Sequence, residues 1–152
     1  MGTIELIQGT LVPVVLITAI ALVDLTLDTR YGRIVNRVRE LLKEMRDSQE
    51  SLPPNVKKKR IGNIELQINV LFKRGRLLKW ALLFMHFSIA SLIALSITIF
   101  YAIIENLVLQ VAILGLYALS MLFILVGSIL TVIEITQSLS GLSLEIKLEK
   151  EQ

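Results

Sequence analysis

The sequence predicts an all-α integral membrane protein with three transmembrane helices and a cytoplasmic antiparallel helical hairpin between the first and second. Two observations lead to this prediction. Hydrophobic residues make up 54% of the 152 residues and the mean hydropathy is +0.70, an apolar excess that points to lipid as the surrounding solvent. Charged residues, only 19% of the chain, crowd into residues 28–79 and the C-terminal tail.

The three apolar segments are long enough to cross a bilayer as helices. Residues 10–27 give ~27 Å of helix, and more if the helix starts near Ile4. Residues 80–104 form the second span, and residues 107–133, which contain no charged side chain, form the third. We therefore divide the chain into a first span (1–28), a basic hairpin (29–79), the second and third spans (80–138) and a tail (139–152). Because the N-terminus lacks a basic signal region, we expect the first span to be retained.

The positions of lysine and arginine predict the orientation. Between the first two spans lie Arg30, Arg33, Arg37, Arg39, Lys43, Arg46, Lys57, Lys58, Lys59, Arg60, Lys73, Arg74, Arg76 and Lys79. The other two basic residues, Lys147 and Lys150, follow the third span. All of them fall on one side of a three-span topology, and the positive-inside rule makes that side the cytoplasm. The N-terminus is then outside and the C-terminus is in the cytoplasm.

The segment between the first two spans has the pattern of two amphipathic helices. Apolar residues recur at helical spacing in two stripes, Ile34, Val38, Leu41 and Met45, then Ile61, Ile64, Ile68 and Leu71. A break at residues 48–55, containing Pro53 and Pro54, separates them. We expect the helices to pair antiparallel, with the stripes facing each other or a neighbouring subunit.

The hairpin has two possible placements. It projects ~30 Å into the cytoplasm if it continues the membrane helices, and its narrow stripes favour this placement. Alternatively, it lies on the membrane surface, where Lys57, Lys58, Lys59 and Arg60 would contact anionic headgroups or a membrane-protein partner.

The chain resembles a small prokaryotic membrane-protein family, number 2721 among the domains of unknown function. The resemblance rests on residues 29–41 after the first span, residues 74–81 entering the second, and residues 127–138, with Glu134 and Ile135 at their centre. It implies three spans and a prokaryotic cytoplasmic membrane. It implies no activity, because none is assigned to the family.

Few ionisable side chains fall in or beside the spans, and each is a functional candidate because burying charge in lipid is costly. They are Asp24, Asp28, His86 and Glu134, all expected toward the cytoplasmic end of their spans. One interpretation is structural, with the carboxylates paired to Arg30, Arg74 and Arg76. The other is a cation or proton site, with Asp24 and Glu134 as oxygen ligands and His86 as relay. Which metal, if any, is unknown.

The third span carries a stripe of small and polar residues. It consists of Ser120, Gly127, Thr131, Glu134 and Ser138. Such a stripe is typical of a face where helices approach closely. In a ring of subunits the same stripe could instead line a pore, with Glu134 forming an acidic ring at the inner mouth.

Two functions fit these features. The leading hypothesis is a homo-oligomeric, channel-like pore for small ions with a cytoplasmic helical stalk, based on the candidate Glu134 ring, the polar stripe and the apolar stripes of the hairpin. The second is a non-conducting scaffold or assembly factor whose basic hairpin docks a protein partner or anionic lipid. The sequence has no cysteine, phosphate loop or nucleophile motif, so we predict neither an enzyme nor a cofactor. The formal charge of +3 is small, and the basic residues are explained by their place on the cytoplasmic side of a membrane protein, so no nucleic-acid partner is predicted.

Overall fold

A computed structural model of the protein describes residues 3–51, 53–104 and 109–150, and all of these residues except Pro53 and Leu109 are helical. Helix α1 spans Thr3–Ser51, α2 spans Pro54–Ile104 and α3 spans Gln110–Lys150. Each contains a segment long and apolar enough to cross a membrane, at Leu11–Glu50, Val56–Ile103 and Gln110–Gln137. The predicted all-helical fold with three candidate spans is therefore confirmed.

Several boundaries differ from the predicted ones. The break in the hairpin is shorter than residues 48–55, because α1 continues to Ser51 and α2 begins at Pro54. Proline is well suited to the first position of a helix, where its missing N–H has no intrahelical acceptor. Helix α3 continues to Lys150, through the segment predicted as a tail. The predicted turn at residues 105–106 lies outside the described residues.

The chain divides into two compact units, which we call the span unit and the hairpin unit. The span unit consists of Met1–Leu27 and Trp80–Ile129. The hairpin unit consists of Asp28–Lys79 and Leu130–Gln152. Helices α1, α2 and α3 each contribute residues to both units.

The hairpin unit has an apolar core built from the two predicted stripes. Leu41 of α1 packs with Ile64 and Ile68 of α2, and the partly buried Met45 and Leu71 complete the cluster. The stripes therefore face each other within one chain. Burying large aliphatic side chains of this kind stabilises the paired helices by roughly 1.5–3 kcal/mol for each fully buried residue.

Buried positions recur every seven residues along α1 and α3. On α1 they are Pro13, Ile20, Leu27, Ile34, Leu41 and Ser48, and on α3 they are Ser120, Gly127 and Glu134. A seven-residue repeat averages 3.5 residues per turn, which keeps one side of a helix facing its neighbours over many turns. This repeat places Glu134 on the inner side of α3.

The opposite sides of the spans expose large apolar side chains. Leu22, Leu25, Ile97 and Leu114 are among those more than half exposed. A water-soluble chain would bury such side chains, whereas a lipid-facing surface requires them. These exposed side chains lie within the candidate membrane spans, as a lipid-facing surface requires.

Candidate functional site

Glu134, predicted as an ionisable residue at the end of the third span, lies buried among basic residues of the hairpin unit. Its side chain is only 2% exposed. Arg74 donates from Nε and Nη2 to Oε1 of Glu134, at 3.2 and 3.0 Å. Nη1 of Arg30 lies 3.7 Å from Oε2. A buried carboxylate can stay charged only with such partners. Arg30 and Arg74 are thus the described ion-pair partners of Glu134.

The Glu134 carboxylate lies in a cavity of about 530 Å³ that we call the arginine cleft. The cleft is lined by Arg30, Arg33, Ile34, Arg37, Leu71, Arg74, Glu134 and Ile135. All three helices contribute to it. The α1 arginines stand at positions i, i+3 and i+7, which places them along one side of that helix.

Among the described residues that line the arginine cleft, four are arginines and one, Glu134, is acidic. Arg37 also pairs with Glu40 through Nη1 and Oε2, 3.2 Å apart, but both of these side chains are at least half exposed. Three of these arginines therefore have described acidic partners, Arg30 and Arg74 with Glu134 and Arg37 with Glu40.

Asp24 and His86 form a second polar pair, in the span unit. Nδ1 of His86 lies 3.4 Å from Oδ2 of Asp24 and 2.9 Å from the carbonyl oxygen of Leu82. Both neighbours are acceptors, so we assign the proton to Nδ1. The imidazole is 66% exposed. An exposed ionisable ring in a span is costly in lipid unless water, headgroups or another protein surface covers it.

The small and polar stripe of α3 packs inside the chain where its side chains are described. Ser120 is fully buried, and its hydroxyl donates to the carbonyl oxygen of Tyr117 at 2.7 Å. At Gly127, an added Cβ would lie 3.1 Å from Cε of Met85 and 3.5 Å from the carbonyl oxygen of Ala81. Thr131 is half-buried. The side chain of Ser138 lies outside the described residues. Ser120, Gly127 and Glu134 are thus buried within the chain.

Part of the basic cluster at the start of α2 holds the hairpin together. Nζ of Lys57 donates to the carbonyl oxygen of Gln49, at 2.5 Å, in the last turn of α1. A cation is favourable there because the final carbonyls of a helix lack intrahelical partners. Arg60 pairs with Glu44 at 3.0 Å. Lys58 and Lys59 are exposed, and no ion pair joins them to any side chain that the structure describes.

The described ion pairs of these groups do not include the two remaining predicted residues, Asp28 and Arg76. Asp28 is exposed. Arg76 lines a different cavity of the hairpin unit, of about 470 Å³, together with Arg39 and Lys79. The structure thus pairs Asp24 with His86, and Glu134 with Arg30 and Arg74. A single cluster joining all of these groups stays a prediction.

Sequence reasoning missed two cleft residues, Arg33 and Arg37. Their spacing from Arg30 was a readable signal, because positions i, i+3 and i+7 share one side of a helix. It also missed Ser88, which is fully buried with a hydroxyl that bonds to no described group. Within the described ranges, no group of three or more histidine or acidic side chains could hold a metal ion.

Comparison with known proteins gives a family but no activity. The family model described as "Protein of unknown function (DUF2721)" matches residues 10–144, which is most of the chain. The match confirms the resemblance noted in the sequence. No curated protein and no solved structure matches the chain.

Proposed function

The chain belongs to the DUF2721 family of proteins of unknown function, and from that premise we propose that it is a non-conducting membrane scaffold. In this proposal three spans anchor it in a prokaryotic cytoplasmic membrane, with the N-terminus outside. The basic hairpin lies in the cytoplasm, as the positive-inside rule requires, and docks anionic lipid. A protein partner with an acidic surface is the alternative ligand.

The observation that carries this proposal is the burial of the groups a pore would need. A conducting path requires polar side chains that face water. Glu134 is 2% exposed and accepts hydrogen bonds from Arg74, while Ser120 and Gly127 pack within the same chain. The stripe expected to line a channel is therefore occupied in helix packing, which favours a scaffold.

The exposed lysines at the start of α2 support docking by the hairpin. The side chains of Lys58 and Lys59 are exposed to solvent. Those of Lys57 and Arg60, in contrast, form hydrogen bonds with α1. A basic group near an anionic membrane surface contributes about 1 kcal/mol of attraction. Lys58 and Lys59 are therefore the pair to change in a test, because replacing all four residues would also weaken the hairpin.

The test uses the full-length protein in nanodiscs of zwitterionic lipid, mixed with vesicles rich in phosphatidylglycerol. The wild type should float with the vesicles at low salt, and K58Q/K59Q should lose most of that binding. R39Q/K43Q is the matched control, since it removes two exposed charges elsewhere on the hairpin. Equal binding by K58Q/K59Q and the wild type would contradict lipid docking.

The second candidate is the homo-oligomeric, channel-like protein, and one observation favours it. The imidazole of His86 is 66% exposed on the span unit, beside Asp24. A neighbouring subunit covering this ring would remove it from lipid. Mass measurement of the purified protein in detergent tests this candidate: a monomer contradicts it, because three helices enclose too little polar volume for an ion path.

A further inference from the structure

We propose that a second cavity of the hairpin unit, which we call the basal groove, binds the headgroup of an anionic phospholipid. The groove has a volume of about 470 Å³, and the described residues that line it belong to α1 and α2. Tyr31, Arg76 and Lys79 are the lining residues that would contact the lipid phosphate. This inference rests on the membrane anchoring proposed above, but not on any role of the exposed lysines at the start of α2.

The basal groove and the arginine cleft lie on opposite sides of the hairpin core. Ile34 and Leu71 line both cavities and therefore separate them. In a helix of 3.6 residues per turn, Arg30 lies on one side of Ile34 and Tyr31 lies on the other. Arg30 pairs with Glu134 of α3. Tyr31 and the basal groove therefore lie on the side of α1 that is turned away from Glu134.

The two helices bring an aromatic ring and two cations together in this groove. The ring of Tyr31 lies close to α2 at Gly75, where an added Cβ would be 3.9 Å from Cε2 of the ring. Arg76 is the next residue of α2, and Lys79 follows it by three positions, on the same side of that helix. All three side chains line the groove.

These side chains offer the donors that a phosphate requires. Arg76 and Lys79 are exposed, and neither forms an ion pair with a side chain that the structure describes. Asp28, about one turn before Tyr31 on α1, is exposed and is not joined to either of them by a described ion pair. The planar donors of arginine match the geometry of phosphate oxygens, and the ammonium of lysine adds a compact charge. The hydroxyl of Tyr31 can donate a further hydrogen bond.

The positions of these three residues along their helices match the headgroup layer. Tyr31 follows residue 27, the last of the first apolar segment, by four positions, about 6 Å of helix rise. Arg76 precedes residue 80, the first of the second apolar segment, by the same distance, and Lys79 directly precedes it. The polar layer on each side of a bilayer is roughly 5–8 Å thick. A lipid of the surrounding membrane can therefore present its phosphate to the groove.

The remaining walls and the charges favour an anionic lipid over other phosphates. Val35 and Phe72 add apolar surface to the groove, and Phe72 is 59% exposed. Such a wall can cover the carbon atoms of a headgroup, which inorganic phosphate lacks. Arg76 and Lys79 repel the cationic choline of a zwitterionic lipid, but not the uncharged glycerol of phosphatidylglycerol. The volume of the groove falls within the roughly 300–1,000 Å³ that is typical of small-ligand sites.

The experiment measures lipid binding to the full-length protein in a neutral detergent by native mass spectrometry. The probes are phosphatidylglycerol, phosphatidylcholine and inorganic phosphate, each titrated separately. We expect phosphatidylglycerol to bind with the lowest Kd, and R76Q/K79Q to raise that Kd about tenfold, because it removes two charge-assisted contacts with the phosphate. K79Q alone repeats the test with a single exposed side chain, and helical circular dichroism checks that each variant is folded.

The matched control within the hairpin unit is R39Q/K43Q, which removes the same charge. Arg39 also lines the basal groove, but it follows residue 27 by twelve positions, about 18 Å along α1 and beyond the headgroup layer. This variant should therefore keep a Kd close to that of the wild type. Equal weakening by R39Q/K43Q and R76Q/K79Q would overturn the proposal, as would equal affinity for phosphatidylglycerol and either of the other two probes.

The variant K58Q/K59Q separates this inference from the docking proposal. Lys58 and Lys59 are not among the residues that line the basal groove, so this variant should leave the Kd for phosphatidylglycerol unchanged. Vesicle flotation that persists in K58Q/K59Q contradicts docking at the start of α2 only. Binding of phosphatidylglycerol by R76Q/K79Q with the wild-type Kd contradicts the basal groove only.

Discussion

Replacing Arg74 with leucine should destabilise the protein far more than the same change at Arg30. Arg74 supplies two hydrogen bonds to Glu134, at 3.2 and 3.0 Å, and its side chain is 21% exposed. Without it, the contact with a described basic side chain that remains to this 2% exposed carboxylate is Arg30 at 3.7 Å, which is too long for a hydrogen bond. Stranding a buried charge in this way costs about 3–5 kcal/mol.

The Arg30 variant removes a much weaker interaction. Arg30 is 45% exposed and its nearest nitrogen is 3.7 Å from Glu134. Ion pairs that are this exposed contribute about 0–1 kcal/mol. The double variant R74L/E134L should recover most of the loss seen in R74L, because apolar side chains in place of a buried pair are often neutral or stabilising.

The assay is the free energy of unfolding of the full-length protein in detergent, titrated with sodium dodecyl sulfate and followed by helical circular dichroism. The wild type should be the most stable and R30L only slightly less stable. R74L should be clearly the least stable, and R74L/E134L should be more stable than R74L. Equal losses in R30L and R74L, or a double variant no more stable than R74L, would refute the buried-pair interpretation of Glu134.

Two further predictions concern packing, and each has a matched control. G127L should lower the midpoint of thermal unfolding by several degrees, because the new side chain would collide with Met85. G115L should leave the midpoint nearly unchanged, because nothing lies within 4 Å of a Cβ added there. Similar midpoints for both variants would argue against close helix approach at Gly127. L41A should cost about 2–5 kcal/mol of unfolding free energy by opening a cavity in the hairpin core. L42A, at a partly exposed neighbouring position, should cost much less, and equal losses would count against the described core.

How far the sequence predicts the fold depends on the contrast between polar and apolar positions. In the hairpin, polar residues surround the apolar stripes, so Leu41, Ile64 and Ile68 could be assigned to the core from their spacing. In the spans nearly every position is apolar, so hydropathy cannot show which side of a helix meets its neighbours. Ile20 and Leu22 look alike in sequence, yet the first is buried and the second is exposed.

The candidate site was predicted in its parts but not in its arrangement. Glu134, Arg30 and Arg74 were singled out because charge near a bilayer needs partners. The cleft was not predicted, because it forms only where three helices meet and depends on side-chain directions that a single sequence does not specify. The role of Lys57 was also missed, since its contact with α1 follows from a turn shorter than the predicted break.

Ion flux through the purified protein tests the central claim, that the polar groups of the spans serve packing and pairing rather than conduction. Full-length protein is reconstituted in liposomes, and the leak of potassium, sodium and protons is followed with fluorescent indicators. We predict a leak equal to that of protein-free vesicles, for the wild type and for E134Q alike. A protein-dependent leak that changes with E134Q would contradict the account and establish the channel instead.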